Sequence, residues 1–205
     1  MAEEHQTRQR HRIGNCESTG RSTRWVRKQQ AYRFPTRQQG TAGRAETFEG
    51  NALKKAQAYV AQTGMASLAD DTGLCVDALG GAPGVRSARF GGYAGGDAAE
   101  RYRANNAKLL EQLARVPAGE RGAEFRTALC LLVPGGEPVV VHGIVRGRIL
   151  EVPRGGHGFG YDPLFEVAEL GKTLAELTTE EKNRISHRAR AFAALRPHLE
   201  RLSRG

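Results

Sequence analysis

The chain has 205 residues, with 31 Lys and Arg against 22 Asp and Glu, a formal charge of +9 at neutral pH. No stretch approaches an apolar run of membrane length, and the three cysteines, Cys16, Cys75 and Cys130, are too few and too far apart for a disulfide framework or a zinc site. The basic surplus would ordinarily point to nucleic acid, but residues 1–45 hold ten Lys and Arg against three Glu, and residues 46–205 hold twenty-one against nineteen. A strongly basic folded domain is therefore excluded, and reduced thiols in a cytoplasmic protein are the simplest account of the cysteines.

Residues 1–45 contain nine Arg and six Gln, with Ile13 and Val26 their only aliphatic β-branched residues. Such a segment has neither a helical stripe nor strand alternation, so it reads as a disordered basic arm that cannot build core. It lacks the apolar stretch of a secretory signal and the clear amphipathic face of a transit peptide.

Regular structure begins at Thr47, an N-cap, after which Phe48, Ala52, Leu53, Ala56 and Val60 recur at helical spacing until Gly64 stops the helix. Leu68 and Ala69 then run into Asp70-Asp71-Thr72-Gly73, and apolar alternation resumes at Leu74, Val76 and Leu79. The pattern predicts strand, polar turn, strand. Two adjacent carboxylates can hold a hard cation through oxygen, and that cation can activate water or neutralise phosphate; the same four residues also suit an ordinary turn. Gly80-Gly81-Ala82-Pro83-Gly84 follows, permissive enough for main-chain N–H groups to approach an anion, and leads into Ser87-Ala88-Arg89, a hydroxyl and a guanidinium suited to phosphate oxygens.

Asp97 opens a second amphipathic helix, with Tyr102, Leu109, Leu110, Leu113 and Val116 on its apolar side. Ala128–Val133 and Val139–Val145 flank Pro134-Gly135-Gly136-Glu137 as a hairpin of core strands, in which His142 is a sheet residue rather than a ligand. Residues 155–165 combine glycines with aromatic rings and a carboxylate, and a purine can stack on such a ring. Thr178 and Thr179 before Glu180, Glu181 and Lys182 predict a helix start. Ser186 can cap a final helix burying Phe192, Leu195, Leu199 and Leu202. That helix would have His187 and Arg188 in its first turn, where the macrodipole disfavours cations and an anionic or carbonyl-rich ligand would compensate them.

Taken in order, Ala-Asp-Asp-Thr-Gly-Leu at 69–74, Gly-Gly-Ala-Pro-Gly-Val-x-Ser-Ala-Arg at 80–89, Thr47-Phe48-x-x-Asn51-Ala52, Gly158-Phe159-Gly160-Tyr161-Asp162-Pro163 and Glu181-Lys182 with Ser186-His187-Arg188 resemble the non-canonical purine NTP pyrophosphatases, the inosine triphosphatase or RdgB-type family, from Thr47 to the C-terminus. The resemblance implies an α/β fold, an elongated mixed sheet flanked by helices in two lobes with a central nucleotide cleft, assembled as a homodimer. It implies hydrolysis of ITP, dITP or XTP to the monophosphate and pyrophosphate with Mg²⁺, by a domain spanning 46–205. Asp71 would be metal ligand and proton acceptor, supported by Asp70 as a second carboxylate. Thr72, Ser87, Arg89 and Lys182 would contact phosphate or hold the site, Phe159, Gly160, Tyr161 and Asp162 would wall the base and ribose, and His187 or Arg188 would offer donors to the purine 6-oxygen.

The first 45 residues depart from that pattern. The family opens with an apolar strand ending in a Thr-Gly-Asn-x-x-Lys loop, and neither Gly14-Asn15 nor Thr19-Gly20 stands in it; a metal-assisting Glu falls where this chain has Gly43, with Glu46 out of register. The segment reads as an out-of-frame translation of the first strand and helix. Two rival expectations follow: a catalytically inactive member, or a nucleic-acid-associated protein using the basic arm.

Overall fold

The structure is a computed structural model that describes residues 45–93 and 95–204. The basic arm, the altered phosphate loop and the position of Gly43 all lie outside the described residues. Among the described residues four α-helices, α1 (Phe48–Thr63), α2 (Ala98–Gln112), α3 (Thr179–Ile185) and α4 (His187–Leu202), accompany five strands: β1 (Ser67–Val76), β2 (Gly122–Leu132), β3 (Val139–Ile149), β4 (Phe165–Val167) and β5 (Lys172–Thr173). The strands lie in chain order and each pairs antiparallel with the next, giving an α/β fold built on a single meander. Among the described residues no helix is long and apolar enough to cross a membrane.

The helix ends follow from local chemistry. The Thr47 hydroxyl accepts the Gly50 N–H, and Gly64 closes α1 in the left-handed conformation. Asp97 caps α2 through the Ala99 N–H. Thr178 and Glu181 form a reciprocal capping box at the start of α3. Ser186 ends α3 and caps α4, its Oγ accepting the Ala189 N–H at 3.2 Å.

The expected turn at 70–73 is not there. β1 runs unbroken from Ser67 to Val76, and Asp70, Asp71, Thr72 and Gly73 pair with Leu129, Ala128, Thr127 and Arg126 of β2. Gly73 serves close approach rather than chain reversal, because a Cβ there would collide with the Gly84 carbonyl, the Ser87 hydroxyl and the Phe48 ring. The segment after β1 folds back along the same strand. Val76 N–H donates to the Ala82 carbonyl at 3.1 Å, and Leu74 N–H donates to Ser87 Oγ at 2.9 Å. The second half of β1 thus has its outer edge covered.

Both faces of the sheet are packed. On one, α1 sets Phe48, Ala52 and Ala56 against Ala69, Ala128 and Cys130. On the other, Leu74, Val76, Phe125, Val145, Ile149 and Phe165 join Leu109 and Leu113 at the end of α2. Each such large side chain, fully buried, contributes roughly 1.5–3 kcal/mol. α4 covers the far end of this second face with Ala191 and Leu195 against Leu129 and Leu131.

The stripe expected on α4 is only partly buried. Leu195 is fully enclosed, whereas Phe192, Leu199 and Leu202 stand 48%, 39% and 51% exposed. The cause is Gly143 on β3, where a Cβ would strike the His187 carbonyl and the Ala191 backbone. α4 settles onto the sheet through His187, Ala191 and Leu195, which turns Phe192 toward solvent.

Candidate active site

Successive residues of a strand face opposite sides of the sheet, so Asp71 and its neighbour Asp70 diverge. Asp71 turns to α1, where Asn51 and Lys55 are one helical turn apart and project together. Lys55 Nζ lies 2.7 Å from Asp71 Oδ1 and donates also to the Asp70 carbonyl at 2.7 Å. Asn51 Nδ2 donates to Asp71 Oδ2 at 3.2 Å. The same amide grips the Ala45 backbone in both directions, accepting from its N–H at 3.0 Å and donating to its carbonyl at 3.2 Å. Lys55 was missed in the sequence; its spacing of four from Asn51 was the available signal.

Asp70 turns to α4. Its Oδ2 accepts from the Thr72 hydroxyl at 3.1 Å, and Thr72 in turn shares a 2.8 Å hydrogen bond with buried Thr127. Arg188 Nε lies 3.5 Å from the same carboxylate, an ion pair open to water on both sides and so worth about 0–1 kcal/mol. The expectation that both carboxylates hold one cation is not met by this geometry. Among the described residues no group of three or more His, Cys, Asp or Glu converges. Mg²⁺ keeps several waters and needs only one or two carboxylates plus substrate phosphates. Asp71, with 17% side-chain exposure, is the carboxylate on the α1 side that could serve so, sharing its oxygens with Lys55 and Asn51.

The turn at 158–162 is held by Asp162, which is 4% exposed. Its Oδ2 accepts the Phe159 N–H at 2.9 Å and the Lys182 ammonium at 2.6 Å. Gly158, at φ +87°, leaves room for that ion pair, since a Cβ there would meet both partners. Phe159 is 53% exposed, and its ring is approached by Lys182 Nζ at 5.6 Å, by Arg188 Cζ at 5.7 Å and by the Tyr102 ring at 6.3 Å. An aromatic face edged by two cations is the result. Gly160 follows at φ +63°.

Two expected site residues are built into the structure instead. Tyr161 was expected in the base wall; it is 4% exposed, its hydroxyl donates to the Ser87 carbonyl at 2.9 Å, and burial raises its pKa. Ser87 was expected at the phosphate; its hydroxyl is already committed to the Leu74 N–H and to the Gly84 carbonyl at 2.6 Å. Arg89 is exposed at the end of the same 3-10 helix, Gly84–Arg89.

His187 is 5% exposed and stacks on Phe125, ring centroids 4.8 Å apart at 16°. Burial, reinforced by the Arg188 and Lys182 charges, drives its pKa down to about 3. The ring is therefore neutral, and the cation-rich helix start expected from sequence reduces to Arg188, which Asp70 partners. Neither ring nitrogen of His187 has a hydrogen-bond partner among the described residues. A neutral imidazole carries one donor and one acceptor, and both of these nitrogens are enclosed. His142, by contrast, is an ordinary sheet residue paired with Glu49 at 2.7 Å.

Known proteins are similar to this chain in sequence and architecture. A dITP/XTP pyrophosphatase of Geobacter sulfurreducens is 54% identical over 154 residues, covering 75% of each chain, and one of Leifsonia xyli is 54% identical over 158 residues, covering 77% of each. Among solved structures, the Staphylococcus aureus Ham1 protein superposes with a TM-score of 0.70 at 40% identity, covering 76% of this chain and 78% of that one. The Mycobacterium abscessus nucleoside-triphosphatase / dITP/XTP pyrophosphatase superposes with a TM-score of 0.63 at 52% identity, covering 76% of each. Residues 24–198 match the Ham1 family, and the identities to known members and the shared fold agree with that match: the chain belongs to the Ham1 family.

Proposed function

We propose that this chain hydrolyses non-canonical purine nucleoside triphosphates, dITP, ITP and XTP, to the monophosphate and pyrophosphate. The observation that carries the reading is Phe159, a half-exposed ring with Lys182 and Arg188 over it; Arg188 follows buried His187, whose two nitrogens lack partners among the described residues. A purine stacks on the ring, and its 6-oxygen accepts from Arg188 or from the His187 N–H. Adenine carries an amino group at that position, presents donors to donors and is rejected.

Asp71 is the proton acceptor. It takes a proton from water attacking the α-phosphorus, the α–β bridge bond breaks, and pyrophosphate leaves. Lys55 holds the Asp71 carboxylate in place from α1 and offers positive charge where phosphate charge accumulates. Mg²⁺ would be held by Asp71 and the phosphate oxygens, supplying charge neutralisation. Arg89 and Lys182 face phosphate or ribose, Lys182 through its ion pair with Asp162. Thr72 and Asp70 keep Arg188 oriented. The catalytic domain spans residues 46–205 and acts as a homodimer in the cytoplasm, the compartment of the nucleotide pool and of unpaired thiols such as Cys75 and Cys130.

Pyrophosphate release from XTP and ITP with Mg²⁺, run beside ATP and GTP, tests the reading. Release that favours XTP and ITP over both ATP and GTP and vanishes in Asp71→Asn supports it. A soluble chain at its folded circular-dichroism signature that releases nothing from any of the four overturns it. Light scattering checks the homodimer, for which a monomer mass is the contrary result.

A further inference from the structure

Two adjacent asparagines on α2, unused by the reaction above, tie the two sides of the site together. Asn105 is 2% exposed; its Oδ1 accepts the Gly91 N–H at 2.7 Å and its Nδ2 donates to the Ser87 carbonyl at 3.2 Å. Asn106, about 100° further round the helix, donates from Nδ2 to the Gly160 carbonyl at 3.1 Å. Tyr102, one turn earlier, lies against the Phe159 ring. The Ser87 carbonyl is shared, since it also accepts the Tyr161 hydroxyl. One helix thus grips both the 84–92 segment and the 158–162 turn.

The turn needs such a grip. Phe159 is flanked by Gly158 and Gly160, both at positive φ, and glycine brings no stiffness of its own. Asn106 also keeps its Oδ1 buried without a partner among the described residues. A leucine would fill similar space without that unmet acceptor, so packing alone does not account for an asparagine there.

We propose that Asn106 and Tyr102 are positioning residues for the base. They hold the Phe159 ring at a set distance from the Ser87–Arg89 segment, so that a nucleotide stacked on the ring brings its phosphates to Asp71. The inference rests on Phe159 being the base platform. Its consequence is selective: ligands with a purine feel the loss of the tie, and a bare phosphate chain does not.

The test uses Asn106→Leu, Tyr102→Ala and Tyr102→Phe in the full chain. Three quantities are read: KM and kcat for XTP, binding of XMP by calorimetry, and inhibition by tripolyphosphate, with hydrogen exchange across 158–162. Asn106→Leu and Tyr102→Ala are expected to weaken XMP and raise KM about three- to tenfold. They should leave kcat within about twofold and tripolyphosphate inhibition unchanged, and they should speed exchange at 158–162 but not in β1. Tyr102→Phe keeps the ring and should match the parent chain. Equal losses for XMP and tripolyphosphate, or unchanged KM and unchanged exchange, overturn the proposal. A parent chain that binds XMP but releases no pyrophosphate sinks the proposed reaction while leaving the positioning role standing; a parent chain that binds no XMP sinks both.

Discussion

Asp70 and Asp71 are neighbours in sequence and strangers in space. Asp71 sits under α1, largely covered and held by a lysine and an asparagine, while Asp70 sits under α4, nearly half exposed and held by a threonine and an arginine. The pleat alone separates them, since β1 stays extended through both residues. The lesson is that a doubled carboxylate in a strand is two groups with two neighbourhoods. In the proposed function the α1 side meets the phosphate and the α4 side meets the base through Arg188.

The largest expected effect separates the two carboxylates directly. Asp71→Asn should lower kcat for XTP by about 10²–10⁴-fold, the range for a lost general base. Asp70→Asn should cost about tenfold at most, through KM, because it loosens only Arg188. Equal losses in both would restore a shared metal pair and break the comparison.

On the base side, Phe159→Ala should weaken XMP binding by about 1–3 kcal/mol, the scale of base–aromatic stacking, with tripolyphosphate inhibition intact. Calorimetry showing both ligands weakened alike would move Phe159 out of the base site.

The α4 side should also carry the acid sensitivity. The folded pKa of His187 is depressed from 6.5 to about 3, so the unfolded chain binds a proton that the native chain refuses. Stability from this group is lost as pH falls from about 6.5 toward 3, with a slope up to about 1.4 kcal/mol per pH unit, and it is flat above that window. Denaturant melts of the parent and of His187→Gln check it: the variant should have the shallower acid slope. Glu166, whose pKa is lowered first by its hydrogen bond to Arg148 and also by Arg154, adds acid loss of the same sign in both proteins, so only the difference between them reports His187.

The smallest effect is expected at the start of α4, which carries His187 and Arg188. Ser186→Ala removes the cap of α4 and should cost about 1 kcal/mol of stability. If KM for XTP rises as well, frayed His187 and Arg188 are the cause. If neither stability nor KM changes, the start of α4 is fixed by the Gly143 contact alone.

The helix starts and the end of α1 were legible because they depend on residues close in sequence: Thr47, Gly64, Asp97, Thr178 and Ser186 each act within four positions of themselves. The hairpin of β2 and β3 was legible for the same reason, through its Pro-Gly-Gly connection. Asn51, the Asp pair, Phe159, Lys182, His187 and Arg188 were legible only as an ordered set of motifs. Lys55 had only its spacing of four from Asn51 to mark it, because one lysine on an exposed helix face looks like any other until the strand beneath it is placed.

What the sequence by itself determined was therefore the family, the reaction class and the helix starts, all carried by short-range chemistry or by the order of motifs; α2 was expected to run on to Val116 and ends at Gln112. Tertiary structure alone decided what depends on distant partners. Gly73 reads as a turn until Gly84 and Ser87 arrive across β1; Tyr161 reads as a wall until its hydroxyl finds the Ser87 carbonyl. His187 reads as a cation until Phe125 and the sheet remove its water, and Phe192 reads as core until Gly143 draws α4 down on another face. Each reversal has one physical cause: burial and close approach are set by residues tens of positions away, which local pattern does not contain.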